Sequence, residues 1–413
     1  MEYALVCRKC DAQIRNESPY QCTHCGGTLD CEFDFTDNCQ EVKKVVKNAQ
    51  EFWDYAPFFP VDTHEPITMG EGRTPLVKAD RVAEKLDIAR VLVKNEATNP
   101  TGTFKDRCMS VSLTKARELA APAVALGSAG NAGAAAAAYA ARASIPCYVF
   151  LPASTPVERV AQTLMYGARM ISVRGTTTDC IDMVGEACKL HGWHNVTTAI
   201  PYNPFQAEAT KTIAFELAQE MKWDVPDWIL VPIGGGGILS GIYKGYHEMH
   251  KMGLIDKMPR MVGVQASGCA AVVKAFKEGK EPEKIEIWGT PPTGIAVAIA
   301  DPYPLDGTTA LSAIYESNGY SEMVSDAEIL AGQALLAGGE GVFVEPASAT
   351  TIAALAKLRE KGAIKRNEQV VCIATGTGMK DPKLAAKQVQ TPPVVNRDMD
   401  QLNTLLATFD WHE

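Results

Sequence analysis

Residues 229–241 read ILVPIGGGGILSG: a short apolar run, four consecutive glycines, then the start of a helical pattern. The run has the length and character of a buried strand. Four glycines in succession let backbone N–H groups converge on one point, and the helix that follows adds its positive end. That order makes a cradle for a phosphate. The stretch lacks the GxxxxGK[ST] of a nucleotide P-loop and is not a GxGxxG fingerprint, so a smaller phosphate ester suits it better than a nucleotide. The plainer alternative is a tight strand-to-helix turn that holds nothing.

The same unit recurs on both sides. Short runs at 90–96 (RVLVKNE), 123–130 (AVALGSAG), 145–152 (IPCYVFLP), 169–175 (RMISVRG), 261–268 (MVGVQASG) and 369–378 (QVVCIATGTG) alternate with helical patterns of ten or more residues. Such alternation predicts an α/β fold with mostly parallel sheets flanked by helices. In such sheets ligands bind beyond the carboxyl ends of the strands, so the turns that follow them are the places to look. Residues from about 40 to 65 read as a helix and then a loop, with YAPFFPVD (55–62) too rich in proline for a regular element.

Three further turns carry candidate chemistry. In NPTGTFKDR (99–107), Lys105 stands between a Gly/Thr turn and a helix start, as a surface cation or as a nucleophilic amine. In the loop from Ser128 to Gly133, Asn131 is the one amide among small residues, and the backbone of Ser128, Ala129, Gly130 and Ala132 can hold a carboxylate. The third turn offers Thr375, a hydroxyl at a strand end that can bond a ring nitrogen without protonating it. Pyridoxal 5′-phosphate needs an amine, a phosphate cradle, a partner for its phenolic oxygen and one for its ring nitrogen. Lys105, Gly234, Gly235, Gly236 and Gly237 together, Asn131 and Thr375 supply these in turn.

Bulk properties exclude several classes. A net charge of −9 argues against a nucleic-acid surface, and 46% hydrophobic with 22% charged residues is ordinary for a soluble globular chain. The most apolar stretch is broken by Arg142 and Pro146, and no signal-peptide pattern opens the sequence, so a cytoplasmic protein with no membrane partner is expected. Six of the 12 cysteines fall within the first 39 residues. Cys7 and Cys10, then Cys22 and Cys25, form CxxC–x11–CxxC, the spacing of a structural zinc site; Cys31, Cys39 and His24 read as bystanders.

The motifs GEGRTPL, NPTGTFKDR, SAGNAGAAAAAYAARA, NPFQAEATKTIAFEL, VPIGGGG, SDAEILAGQALLAGGEGVFVEPASA and TGTGMKDP occur in this order. Over roughly 69–382 the chain resembles the threonine synthases, amino-acid biosynthetic lyases of pyridoxal-phosphate fold type II, and its cysteine pairs resemble the zinc ribbon of some members. The resemblance implies that Lys105 is the Schiff-base lysine, that Asn131 touches the phenolic oxygen, and that Thr375 faces the ring nitrogen. It implies a homodimer acting on a small amino acid, with phosphate expelled from O-phospho-L-homoserine and water added. It also implies a zinc-ribbon-like segment over 1–40, a large domain over 41–106 and 206–385, a small mobile domain over 107–205, and a tail over 386–413.

The departures cluster at the substrate's far end. Where the family reads Asn-Ser-x-Asn-Pro-x-Arg, this chain has IPYNPFQ, placing Ile200, Pro201 and Gln206 at positions that help bind the substrate phosphate; where an arginine is expected, VAIADP places Ala298, with Asp301 nearby. Losing a bidentate cation from an anion site is not conservative. Gln206 is the remaining candidate there, and Lys78, Lys94, Arg107 and Lys211 are possible replacement cations. Asp106 and Arg107 alternatively form an ion pair at the helix start. Two other functions stay open: elimination or replacement on a different amino acid, as in a hydroxyamino-acid dehydratase or a cysteate-synthase-like enzyme, and a non-catalytic cofactor-binding regulator.

Overall fold

Every apolar run singled out in the sequence forms a strand, and the strands gather into three sheets. The computed structural model describes residues 3–14, 20–35, 39–62 and 65–409. The strands are β1 (Tyr3–Cys7), β2 (Gln13–Ile14), β3 (Leu29–Phe33), β4 (Leu76–Lys78), β5 (Arg90–Asn95), β6 (Val124–Gly127), β7 (Cys147–Pro152), β8 (Arg169–Val173), β9 (His194–Asn195), β10 (Trp228–Pro232), β11 (Arg260–Ala266), β12 (Tyr320–Val324) and β13 (Gln369–Ala374). A six-stranded sheet runs β12-β11-β10-β13-β5-β4, a four-stranded sheet runs β8-β7-β6-β9, and β2-β1-β3 form a small third sheet. The four-stranded sheet is wholly parallel; in the six-stranded one, only β4 runs antiparallel to its neighbour. All five residues of β10 are buried, as expected for a central strand covered by helices on both faces.

Two local readings change. Phe52–Phe58 is a 3₁₀ helix with Pro57 inside it. Its apolar residues Phe52, Tyr55 and Phe58 recur every third position, which at three residues per turn puts all of them on one buried face. Strands β4, β9 and β12 were not legible: β9 has two residues, and β12 carries Glu322, buried between Lys277 and Lys361.

The helix Lys105–Glu118 is held at its first turn by buried charges. Arg107 donates to both oxygens of Glu96 (2.7 and 2.8 Å) and both of Glu216 (2.5 and 2.8 Å). Lys94 on β5 reaches Glu216 at 2.9 Å and Glu220 at 2.6 Å. Burial alone would raise the Glu216 carboxyl, and the two cations overcome it, holding the group well below its usual range. Lys211 pairs with Glu208 (2.7 Å) and Glu248 (3.0 Å). Lys94, Arg107 and Lys211 are therefore spent on structural pairs and are not available to a substrate anion. Lys78 lies exposed at the end of β4. Asp106 does not pair with Arg107; its carboxylate accepts from the backbone N–H and hydroxyl of Thr101 (2.9 and 2.8 Å).

The small antiparallel sheet shares a core with the large one, with Leu5, Leu29 and Phe33 packed in the same cluster as Phe58 and Phe215. Lys244 ties it further, donating to Asp30 (2.9 Å), the Cys31 carbonyl (2.6 Å) and Glu208 (2.6 Å). On the other side Tyr20 bonds His194 Nδ1 at 2.8 Å and accepts the Asn195 N–H at 2.9 Å, reaching the four-stranded sheet. The described residues from 381 onward form a separate unit, containing the short helices Pro382–Ala386 and Met399–Leu406, the latter capped by Asp398. No described helix is long and apolar enough to cross a membrane.

Replacing Glu216 with alanine leaves Arg107 and Lys94 short of a counter-charge in the interior. The expected cost is about 3–5 kcal/mol, read as a lowered urea midpoint with an unchanged slope.

Candidate active site

Lys105 opens the helix whose first turn Arg107 anchors, and the chain leading into it is laced to the loop after β13. Thr103 bridges Gly376, the Phe104 N–H donates to the Thr375 carbonyl (3.0 Å), and the Thr377 N–H donates to the Gly102 carbonyl (3.0 Å). Lys105 Nζ donates to the Thr198 hydroxyl at 2.7 Å and lies 4.8 Å from the Phe104 ring centre. Burial lowers its pKa, partly offset by Cys108, Asp306 and Asp301. More of the amine is then neutral near pH 7, which is what a nucleophilic lysine requires.

Thr375 has a defined hydrogen-bond sense. The Ser348 hydroxyl oxygen accepts the N–H groups of Thr375 (2.9 Å) and Gly376 (3.0 Å). With its oxygen so used, Ser348 has its own proton to give, and Thr375 Oγ1 at 2.9 Å is a closer acceptor than the Gly376 carbonyl at 3.4 Å. The Thr375 proton is thereby left free to donate outward.

Asn131 begins the helix Asn131–Ala143, whose alanines let it pack closely against the helix Lys105–Glu118. Its Nδ2 donates to both oxygens of Glu345, 3.1 Å each. Glu345 is buried, which raises its pKa, and a Cβ on Gly376 would lie 2.6 Å from its carboxylate. The Ser128 hydroxyl accepts the N–H groups of Gly130 and Gly133, both at 3.3 Å. Ala129 and Gly130 complete the turn, and Ala132 lies in the first helical turn. Above the turn stands Arg159, its guanidinium 4.0 Å from where a Cβ on Gly130 would be.

The glycine loop joins β10 to the helix Gly237–Lys251. Gly236 has φ +112°, and a Cβ there would come within 2.6 Å of the Asp306 carbonyl; one on Gly234 would press the Ile299 backbone at 3.1 Å. Asp306 also accepts the Ile200 N–H at 2.8 Å. Loops after β5, β6, β9, β10 and β13 thus bring Lys105, Ser128–Asn131, Thr198, Gly234–Gly237 and Thr375 to the carboxyl ends of their strands. Gln206 is buried at the start of the helix Pro204–Thr210, its N–H bonded to Asn203, and Ala298 is exposed in a short 3₁₀ turn.

The scan against family models matches residues 67–376 to the pyridoxal-phosphate-dependent enzymes. Along nearly its whole length the chain is 42% identical to the threonine synthase of Methanosarcina acetivorans, covering 97% of this chain and 98% of that one. The chain belongs to the threonine synthase family of pyridoxal-phosphate-dependent enzymes. The threonine synthase of Methanocaldococcus jannaschii is 41% identical over the same shares. Among solved structures, the diaminopropionate ammonia lyase of Escherichia coli superposes with a TM-score of 0.68 at 17% identity, covering 94% of this chain and 97% of that one. This threonine-synthase-type lyase carries a donor set that fits the cofactor: a buried amine of lowered pKa, a hydroxyl free to donate, and a loop of glycines that side chains would fill.

Sequence reading missed Thr198, Arg159, Glu345, Ser348 and Asp306. Glu345 and Ser348 lie within the quoted EPASA segment and were findable; the other three carry no local signal.

In the amino-terminal sheet, Cys7, Cys10, Cys22 and Cys25 place their sulfurs within 4.8 Å of one another. The closest pairs are 3.4, 3.5 and 3.8 Å apart. Four thiolates about 2.3 Å from one zinc would stand ~3.8 Å apart, so the geometry suits that ion. Cys31 is buried on β3 outside this cluster, and the Cys39 side chain lies outside the described residues.

Gly236→Ala adds a methyl against the Asp306 carbonyl at a positive φ. The expected result is cofactor binding weakened by roughly fivefold to a hundredfold, from a strain of ~1–3 kcal/mol, measured by titrating the apoprotein with pyridoxal phosphate and following absorbance.

Proposed function

We propose that the enzyme converts O-phospho-L-homoserine and water to L-threonine and phosphate. The observation that supports this most directly is identity of about two residues in five, over almost the full length, to two threonine synthases. When bound, the cofactor supplies an aldehyde that condenses with an amine and a conjugated ring that spreads the electron pair left when a proton leaves the substrate's α-carbon. Lys105 would be the amine that holds the cofactor, and its Nζ would be the base that carries protons at the substrate's α- and β-carbons. Thr375 would donate to the ring nitrogen without protonating it. Gly234–Gly237 would hold the cofactor phosphate. Asn131 serves the phenolic oxygen, and the turn from Ser128 to Ala132 binds the substrate carboxylate with Arg159 above it. Closure of the four-stranded layer over this cleft excludes water until it is needed.

A second reading is favoured by one observation. Lys94, Arg107 and Lys211, offered in place of the missing arginine, are bound in structural pairs, so an amino acid with an uncharged leaving group is the competing substrate. Both readings are tested by incubating holoenzyme with O-phospho-L-homoserine, O-phosphoserine, serine, threonine or homoserine, and assaying phosphate, ammonia and new amino acids. Threonine and phosphate in equal amounts from phosphohomoserine alone support the first reading; turnover of another substrate only overturns it. Lys105→Ala should abolish turnover in either case. Arg159→Ala should raise KM by roughly tenfold to a hundredfold, the worth of a charge-assisted hydrogen bond of about 1.5–3 kcal/mol.

We further propose that the four cysteine thiolates hold a structural zinc ion, closed on all sides and remote from turnover. About one zinc per chain is expected by elemental analysis, and Cys22→Ser should lose it together with thermal stability.

A further inference from the structure

Two carboxyl groups face the glycine loop, and neither forms an ion pair with the described residues. Asp306 is 2% exposed. Its Oδ1 accepts the Ile200 N–H at 2.8 Å, while its Oδ2 lies 2.7 Å from where a Cβ on Gly237 would stand and takes no hydrogen bond from the described residues. Asp301 repeats the arrangement: one oxygen accepts the Tyr303 N–H at 3.1 Å, and Oδ2 lies 3.4 Å from the Cβ position of Gly235. Asp306 cannot easily move away, because its N–H donates to the Gly235 carbonyl (2.9 Å) and its own carbonyl accepts from Ala310 (3.0 Å).

A phosphate seated on the loop amides would meet these two bare oxygens. Ionised carboxylates repel a phosphate dianion; a protonated carboxyl donates to it. We propose that Asp301 and Asp306 act as a carboxyl pair that must hold a proton while the glycine loop holds a phosphate group, so that phosphate occupancy of the loop takes up a proton. The inference rests on the reading of Gly234–Gly237 as a phosphate cradle, and deepens it.

The surroundings favour such a proton. Burial raises both groups, Asp306 to about 7 and Asp301 to about 6. The charges and titrating groups around them are few. Lys105 pulls both down, Asp301 pushes Asp306 up, and the Arg8 charge acts weakly on Asp306. Cys269, pushed up to about 11 by burial and by Asp301, stays a neutral thiol. The two carboxyls titrate as a pair, so the proton belongs to both. The sign follows from linkage: below about pH 6 the pair is protonated and phosphate binds freely, and above about pH 7 each bound phosphate must bring a proton with it.

The test compares pyridoxal phosphate with pyridoxal, which has the same aldehyde and no phosphate. Affinities of the apoprotein for both are measured by absorbance from pH 6.0 to 8.5, and their ratio isolates the phosphate contribution from the titration of Lys105. In the wild type the ratio should fall by up to about tenfold per pH unit above pH 7, the slope of one linked proton. In Asp306→Asn, whose amide oxygen still accepts the Ile200 N–H, and in Asp301→Asn, the slope should flatten and the ratio at pH 8.5 should rise. A second arm measures inhibition of the loaded enzyme by inorganic phosphate over the same range; a slope there and not in the first arm assigns the pair to a substrate-derived phosphate. A ratio near one at every pH would remove the phosphate-cradle reading itself. A large ratio independent of pH in the wild type, with phosphate inhibition also flat, would leave the cradle standing and overturn the proton-linked pair.

Discussion

The buried fork of Arg107 across Glu96 and Glu216 is the constraint on which the site depends. It joins the turn after β5, the first turn of the helix that Lys105 opens, and the helix Thr212–Glu220. Removing so many charges from water is costly, and the arrangement is favourable only because each carboxylate is bonded on several sides. Thr74 adds a further hydrogen bond to Glu96, and Lys94 a second cation to Glu216. The result is a rigid seat two residues from the Lys105 amine. Rigidity at that distance fixes where the amine can reach, and neutral Thr198 receives it without adding a charge.

Around that seat, each element of the site comes from a different strand end, and backbone pairing sets their mutual positions. The bridge from Thr103 to Gly376 binds the lysine turn to the Thr375 loop, and Asn131 meets the same loop through Glu345. Glycine is required at 376 because the Glu345 carboxylate occupies the space a side chain would take. Asp306 plays the corresponding part at the other end, fastening the glycine loop to the segment that contains Ile200.

Much of this was legible in the sequence, for identifiable reasons. The long apolar runs that became β5, β6, β7, β10, β11 and β13 are buried on both faces and carry their own signal, and the glycine and threonine turns follow them directly. Short or polar elements did not show: β9 is two residues long, and β12 buries a glutamate that only distant lysines make tolerable. The cations offered as substitutes for the missing arginine illustrate the same limit. Lys94, Arg107 and Lys211 look free in sequence because their glutamate partners lie up to more than a hundred positions away, apart from Glu208 beside Lys211 and Glu96 beside Arg107. Arg159, Thr198 and Asp306 stay invisible for the converse reason: nothing in their own neighbourhoods marks them, and only the crossing of the chain brings them to the cleft.

Ser348 carries a consequence that concerns direction more than attraction. Two amides occupy its oxygen, so its hydrogen is left for the Thr375 hydroxyl at 2.9 Å or the more distant Gly376 carbonyl at 3.4 Å, and in the shorter arrangement the hydroxyl of Thr375 inherits a polarity from Ser348. Anything lying over Thr375 meets a donor. An alanine at 348 would take away both the acceptor of the Thr375 and Gly376 N–H groups and the donor to the Thr375 hydroxyl, and the strand end would no longer tell a basic nitrogen from an acidic one.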